Sequence, residues 1–459
     1  MSEYLQKNSV WLLPISIVLS AIGYVWILYY LPRTQFNVFI SIIALLFGLY
    51  FLIVKSSLKY FNIKYLLGIA AVLRVLLLFA TPNLSDDFYR FVWDGRLIVA
   101  GKNPYLYLPN EFPENPLFSY LNSPNYYTVY PPFNQFIFGL ASWFFPENLL
   151  GNIVMLRIII VLADVGVMFL LYQLKRKRVL LYAFNPLIII ELTGNLHFEG
   201  LMIFWFLSAI CFFVRHQKQV SGRDKIWGVI CFTLSVATKL IPLIFLPLII
   251  KKIGFKNGIC LSFFSAFLFV LLWLPFFDRE IISNFFSSID LYFQSFQFNA
   301  CVYYIIREIG FLILGFDVVW WVGGILGLSA LSIILNLSWG KFWWKQDNFS
   351  NLLKNEGEGM TEKILETFYL SALLIVTTYY FFATTVHPWY IATVFTLSLL
   401  TPYRFGIVWS AMVMLSYFAY RQVPVNESLY LIAIEYLVVI GTMLYELKIS
   451  RLAIYPHQK

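Results

Sequence analysis

Apolar residues along this chain gather into long unbroken runs, and the run lengths set the first expectations. A helix needs about 20 apolar residues to cross the roughly 30 Å hydrocarbon layer of a bilayer. Runs that meet or approach that length cover residues 10–31, 36–54, 65–82, 150–174, 259–277, 318–339, 364–382, 391–403, 405–420 and 429–446. Residues 179–193 and 201–214 are shorter and flank Gly194-Asn195-Leu196-His197-Phe198-Glu199-Gly200, which predicts a tight hairpin. The run 226–250 holds Lys239 and Pro242 near its middle. Proline cannot continue the backbone ladder and a lysine stranded in lipid is costly, so a second hairpin is predicted there. Residues 133–145 are too short to span and read as an amphipathic helix lying at the interface. The pattern predicts an all-α, polytopic transmembrane bundle of about 11–14 spans, short hairpins included. The first run is too long for a signal-peptide core and lacks a small-x-small cleavage site, so it reads as a retained anchor.

Basic residues orient this bundle. Cytoplasmic connectors carry the excess of Lys and Arg, which puts Lys55, Lys59 and Lys64 inside, together with the block Lys175-Arg176-Lys177-Arg178. Arg215, Lys218, Arg223 and Lys225 follow the first hairpin, and Lys251 and Lys252 the second. Lys341, Lys345, Lys354 and Lys363 mark residues 340–363 as a cytoplasmic loop. Of the 33 basic residues this topology places 23 inside, 7 outside and 3 (Arg74, Arg157, Lys239) within spans, a bias that supports it. Residues 83–149 then form a long external loop and 278–317 a second one, within a single membrane domain over residues 1–459.

Composition agrees. Apolar residues make up 60% of the chain and charged ones 12%, against about 45–50% and 25% in soluble domains, which excludes a water-soluble fold. A transmembrane β-barrel is excluded as well, because its strands alternate over about ten residues. The cysteines Cys211, Cys231, Cys260 and Cys301 suggest neither a disulfide nor a metal framework. The net charge of +9 belongs to the orientation of the spans and does not imply a nucleic-acid partner.

The candidate chemistry gathers on the external side. Ser85-Asp86-Asp87-Phe88-Tyr89-Arg90-Phe91-Val92-Trp93-Asp94-Gly95-Arg96 opens at the end of the third run. Adjacent carboxylates repel, so keeping both calls for a nearby cation, a hydrogen-bond network or a bound substrate; the bland reading is a helix N-terminus favoured by its dipole, with Ser85 as cap. His197 and Glu199 top the first hairpin, Lys239 the second, and His387-Pro388-Trp389-Tyr390 a later tip. Such a set suits a lipid-linked sugar phosphate. Lys239, Arg90, His387, Arg74 and His197 are candidates for holding the phosphate on which charge builds, and Asp86 or Asp87 is the candidate base for the attacking hydroxyl. Trp93, Trp389 and Tyr390 either stack on sugar or lipid or form an interfacial aromatic belt, while Arg90 and Arg96 either guide phosphate or anchor the loop. Within the span 150–174, Asp164 lies two turns from Arg157, so its partner is expected from Arg74 or another span.

These blocks, with Gly101-Lys102-Asn103-Pro104-Tyr105, Tyr130-Pro131-Pro132, Asn185-Pro186, Ala237-Thr238-Lys239-Leu240-Ile241-Pro242 and His387-Pro388-Trp389-Tyr390, resemble GT-C integral membrane glycosyltransferases, in particular the bacterial polyprenyl-phosphate-mannose-dependent mannosyltransferases. The resemblance covers about residues 74–401. It implies an inverting hexose transfer, mannose above all, from a polyprenyl-phosphate donor to a glycan or lipid acceptor hydroxyl. It also implies an active site on the extracytoplasmic face of the plasma (inner) membrane, with no metal and no cofactor. An Asp of the first external loop acts as base, which on this chain is Asp86 or Asp87. Relatives often carry His-Asn-Asp where this chain has His197-Phe198-Glu199, a departure that bears on the contacts of Glu199. Two other readings remain open from sequence: a lipid-linked oligosaccharide polymerase or ligase, and a lipid-linked substrate transporter or flippase, for which matching inverted repeats are expected.

Overall fold

The computed structural model describes residues 2–60, 62–214, 222–294, 296–340 and 358–454. Arg215, Lys218, Lys341, Lys345, Lys354 and most of the 340–363 loop lie outside the described residues. In chain order the α-helices are α1 (Ser2–Tyr29), α2 (Phe36–Tyr60), α3 (Ile63–Val75), α4 (Asp87–Val99), α5 (Pro132–Phe144), α6 (Leu149–Leu174), α7 (Val179–Ala183), α8 (Glu199–Val214) and α9 (Gly222–Thr238). They continue with α10 (Leu246–Ile253), α11 (Phe255–Trp273), α12 (Ile281–Gln294), α13 (Val302–Leu314), α14 (Val319–Trp339), α15 (Glu358–Phe382), α16 (Ile391–Ser398), α17 (Phe405–Met412) and α18 (Leu429–Ile454). Among the described residues there is no strand, only an isolated bridge between Phe298 and Thr385. The protein is an all-α, multi-pass membrane protein.

Among the described residues, seven helical stretches are long and apolar enough to cross a bilayer: Trp11–Tyr29, Phe36–Ser56, Leu149–Leu174, Phe255–Phe276, Trp321–Trp339, Leu365–Phe382 and Leu429–Ile449. Each coincides with an apolar run of the sequence. The other runs break into shorter pieces: 391–403 is α-helical only over Ile391–Ser398, and 405–420 passes from α-helix at Met412 into a 3-10 helix over Val413–Arg421. The run 65–82 stays α-helical only to Val75, after which Leu77 and Leu78 close tighter turns on Arg74 and Val75. The run 179–214 breaks at Asn185-Pro186, continues as a π-helix (Ile188–Gly194), and meets α8 at a bend of 105°, short of the full reversal that a tight hairpin requires. The run 226–250 stops at Thr238, ahead of Lys239, and resumes as a 3-10 turn containing Pro242.

The chain packs as two compact units. The first comprises Met1–Cys211, Ile226–Pro242 and Leu261–Tyr292, and the second Phe212–Lys225, Leu243–Cys260 and Phe293–Lys459. In the first, Arg74 and Asp164 are both fully buried and form an ion pair, and the Arg74 guanidinium also donates to the carbonyls of Ala70 and Ala183 at 2.9 Å. The partner expected for Asp164 is therefore Arg74. Arg157, also buried, donates to the carbonyls of Thr193, Gly194 and Leu78 at 2.7–2.9 Å, satisfying the end of the π-helix. Both arginines face protein rather than lipid, as charges at this depth must.

Helix α5 lies against α4. It is 13 residues long, and its polar residues Asn134, Gln135 and Ser142 are buried while Phe136, Leu140 and Trp143 are exposed. That arrangement is the reverse of a water-facing amphipathic helix and suits a lipid-facing one. The two helices approach at Gly95, where an added Cβ would come within 2.3 Å of the Phe138 carbonyl oxygen. Only hydrogen fits there. Phe91 of α4 stacks on Phe138 of α5 with ring centroids 4.8 Å apart, and Phe198, just ahead of α8, packs edge-on against both.

Candidate active site

The acidic pair stands at the head of α4, and its two members have different partners. Asp86 occupies the N-cap position but makes no capping hydrogen bond with its side chain. Its carboxylate instead meets the Arg33 guanidinium at 2.6 Å. Asp87 is the first residue of the helix, where the dipole favours a carboxylate, and its backbone N–H reaches Ser85 Oγ at 3.4 Å. Its own Oδ1 accepts from Asn122 Nδ2 at 2.8 Å. Burial raises the Asp87 pKa above the ordinary carboxylate value. The Asn122 hydrogen bond and the Lys239 charge oppose this rise, and the charges of Asp86 and Glu199 add to it. The bland reading of the pair as a helix N-terminus thus holds for position, while the partners of each carboxylate go beyond capping.

A buried polar lattice fixes the loop beside this pair. Arg90 donates to Asp94 Oδ1 at 2.8 Å and to the carbonyls of Ser123 and Tyr126. Gln135 donates to Asp94 Oδ2 at 2.9 Å and Thr128 Oγ1 at 3.0 Å. The hydroxyl of Tyr105 donates to the Tyr130 carbonyl at 2.7 Å, and Asn103 reaches the Phe276 carbonyl at 2.6 Å. Arg96 donates to the Glu147 carbonyl at 3.1 Å. Of the two roles open to Arg90 and Arg96, loop anchoring is the one their hydrogen bonds serve, although the anchors are backbone carbonyls and Asp94 rather than lipid headgroups.

Lys239 follows the last residue of α9, and its ammonium forms an ion pair with Glu199, the buried first residue of α8. The Lys239 side chain remains 19% exposed and its charge acts on Asp87. The aromatic packing of Phe198 against Phe91 and Phe138 holds the Glu199 end of α8 beside α4 and α5. His197 is buried, with Nε2 3.7 Å from Glu191 Oε2, while Asn195 Nδ2 donates to the same carboxylate oxygen at 3.2 Å. Between them Leu196 has φ +63°, a left-handed conformation rare for a leucine and found where surrounding structure enforces it.

The structure therefore brings Asp86, Asp87, Arg90, Glu199, Lys239 and His197 into the first unit. Arg74 is also there, but buried against Asp164, where its guanidinium serves packing. His387, Trp389 and Tyr390 belong to the second unit. There the His387 imidazole lies between Trp389 (4.4 Å between ring centroids, 6° between planes) and Phe298 (4.8 Å, 27°), with Tyr390 edge-on. One Trp389 face is thus covered by His387 and the indole is buried.

Three participants escaped the sequence reading. Arg33 had a usable signal: it ends the first span on the side assigned to Asp86. Glu191 had one too, as the sole acid within the apolar run 179–193. Asn122 offered none, since an amide in a polar loop is unremarkable. Among the described residues no group of three or more His, Cys, Asp or Glu side chains is arranged to hold a metal ion.

Residues 12–253 match the model of the MptA_B family, described as alpha-(1->6)-mannopyranosyltransferase, N-terminal domain. No curated protein and no solved structure matches the chain. The matched segment contains Arg33, Asp86, Asp87, Asn122, Glu199 and Lys239, and ends before His387.

Proposed function

The chain belongs to this alpha-(1->6)-mannopyranosyltransferase family, and from that premise we propose that it moves mannose from a polyprenyl-phosphate donor to an acceptor hydroxyl, with Asp87 as general base. The observation that carries this reading is the setting of Asp87: a carboxylate of raised basicity, oriented by Asn122, within reach of the Lys239 charge. The acceptor O–H gives its proton to Asp87 as the new C1–O bond forms, and the bond from C1 to the phosphate oxygen breaks on the opposite face. The electron pair leaves with polyprenyl phosphate, and Lys239 offsets the charge that builds there. The Arg33–Asp86 pair supports the same division of labour, because the Asp86 carboxylate is already engaged by a guanidinium at 2.6 Å. An α-(1→6) linkage points to a primary 6-hydroxyl as acceptor, and inversion then requires a β-linked donor.

The same reading places the reaction on the extracytoplasmic side of the plasma membrane and needs neither a metal nor an organic cofactor. The decisive test incubates purified protein with radiolabelled polyprenyl-phosphate-mannose and a membrane extract, with and without chelator. Label transferred equally in both supports the reading. Transfer from a nucleotide sugar instead overturns the donor, and dependence on a divalent ion overturns the metal-free chemistry.

A further inference from the structure

A second polar site lies in the second unit, built from residues that the proposed transfer does not use. The end of α10, the end of α14 and the first turns of the α15 span line a small cleft that is open to the surroundings. Its polar lining consists of Lys251, Lys252, Ser338, Thr367 and Ser371, with Gly340 at its rim, and among the described residues no carboxylate lines it. We propose that this cleft binds a phosphate oxyanion, either the phosphodiester of an anionic phospholipid headgroup or free phosphate.

Four observations carry the assignment. Two successive lysines end α10, where the helix dipole also favours cations. A lysine serving only as a solvated orientation marker extends into water, whereas here both ammonium-bearing residues are half-buried beside a cavity. The Ser338 hydroxyl is 1% exposed and has no hydrogen-bond partner, although a helical serine can ordinarily donate to the carbonyl one turn back. A buried hydroxyl left without a partner is unusual and marks a place where an acceptor is expected. Position adds the fourth: the α14 span ends at Trp339 and the α15 span begins at Leu365, so the cleft sits at headgroup depth, with the Trp339 indole donating to the Pro247 carbonyl at 2.9 Å. Basic pockets between the ends of spans are a recurring form of anionic-lipid site. Lys252 is in addition held down to about 8 by burial and by the neighbouring Lys251 charge, and the opposite charge of a bound anion favours its protonated form.

The test titrates purified full-length protein in neutral detergent with phosphatidylglycerol, phosphatidylcholine and inorganic phosphate, reading bound adducts by native mass spectrometry and protection against thermal unfolding. Phosphatidylglycerol is expected to bind and protect, with phosphatidylcholine at least tenfold weaker. The K251Q/K252Q variant should lose on the order of tenfold or more in phosphatidylglycerol affinity. S338A, a change of one buried oxygen that preserves folding, should lose severalfold, and K251R/K252R should retain binding. If inorganic phosphate protects the wild type and not K251Q/K252Q while phosphatidylglycerol does nothing, the site stands and its ligand is free phosphate. Equal binding of the two lipids, or wild-type phosphatidylglycerol affinity in both S338A and K251Q/K252Q, overturns the proposal. Since none of these readouts involves sugar transfer, they hold whether or not the mannosyl donor is correctly assigned.

Discussion

At the residue scale the adjacent carboxylates at the head of α4 separate by partner, Asp86 with Arg33 and Asp87 with Asn122. D87N is expected to lower mannosyl transfer by about 10²–10⁴-fold, the usual contribution of a general base, and D86N by much less; equal losses in a transfer assay contradict the assignment. The raised pKa of Asp87 makes two further statements about pH. Transfer should fall on acidification through a midpoint above the usual carboxylate value of about 4, a limb visible in kcat/KM. For stability the sign is opposite. A carboxyl whose pKa is higher folded than unfolded favours folding while protonated, and that contribution is lost as pH rises through the folded value. D87N should therefore unfold at a higher temperature than the wild type at neutral pH, with the difference shrinking in acid. The sequence isolated these two aspartates because a carboxylate pair needs explaining wherever it occurs. It could not separate them, because the distinguishing partners are 53 residues upstream for Asp86 and 35 downstream for Asp87.

At the scale of elements, two contacts position the site and each has a measurable consequence. Gly95 admits α5 against α4, and the nearest obstacle to a methyl group is the Phe138 backbone, which cannot step aside. G95A should drive the helices apart, at a cost of about 1–3 kcal/mol, seen as a lower midpoint of thermal unfolding together with reduced transfer. Lys239 and Glu199 tie α9 to α8. Removing one partner strands the other, so K239M should destabilise by about 3 kcal/mol. K239M/E199Q should recover most of that stability and none of the activity; recovery of both makes the lysine a purely structural tether. Among the described residues apolar run length located every long span, because length and hydropathy alone decide whether a helix can cross. It misjudged the bent pair before α8, where Pro186, the π-helix and the Arg157 bonds to Thr193 and Gly194 set the path. Such cross-chain carbonyl contacts leave no periodic trace in a sequence.

At the scale of the whole molecule, the orientation of the spans is the expectation most open to direct measurement. Cys211, Cys231, Cys260 and Cys301 are free thiols, so they are replaced first. Single cysteines at Glu114 and at Asn355 are then probed with an impermeant maleimide on intact cells. Labelling at 114 alone is expected; labelling at 355 alone inverts the assigned sides. The Arg74–Asp164 pair carries a consequence of a different kind, one of timing during synthesis. Helix α3 has 13 residues, about 20 Å of rise against a hydrocarbon layer of about 30 Å. Its last turn carries an arginine whose counter-ion is encoded 90 residues later. The ribosome thus delivers a short, charge-tipped segment that has no partner until α6 emerges, and the insertion machinery must shelter it until then.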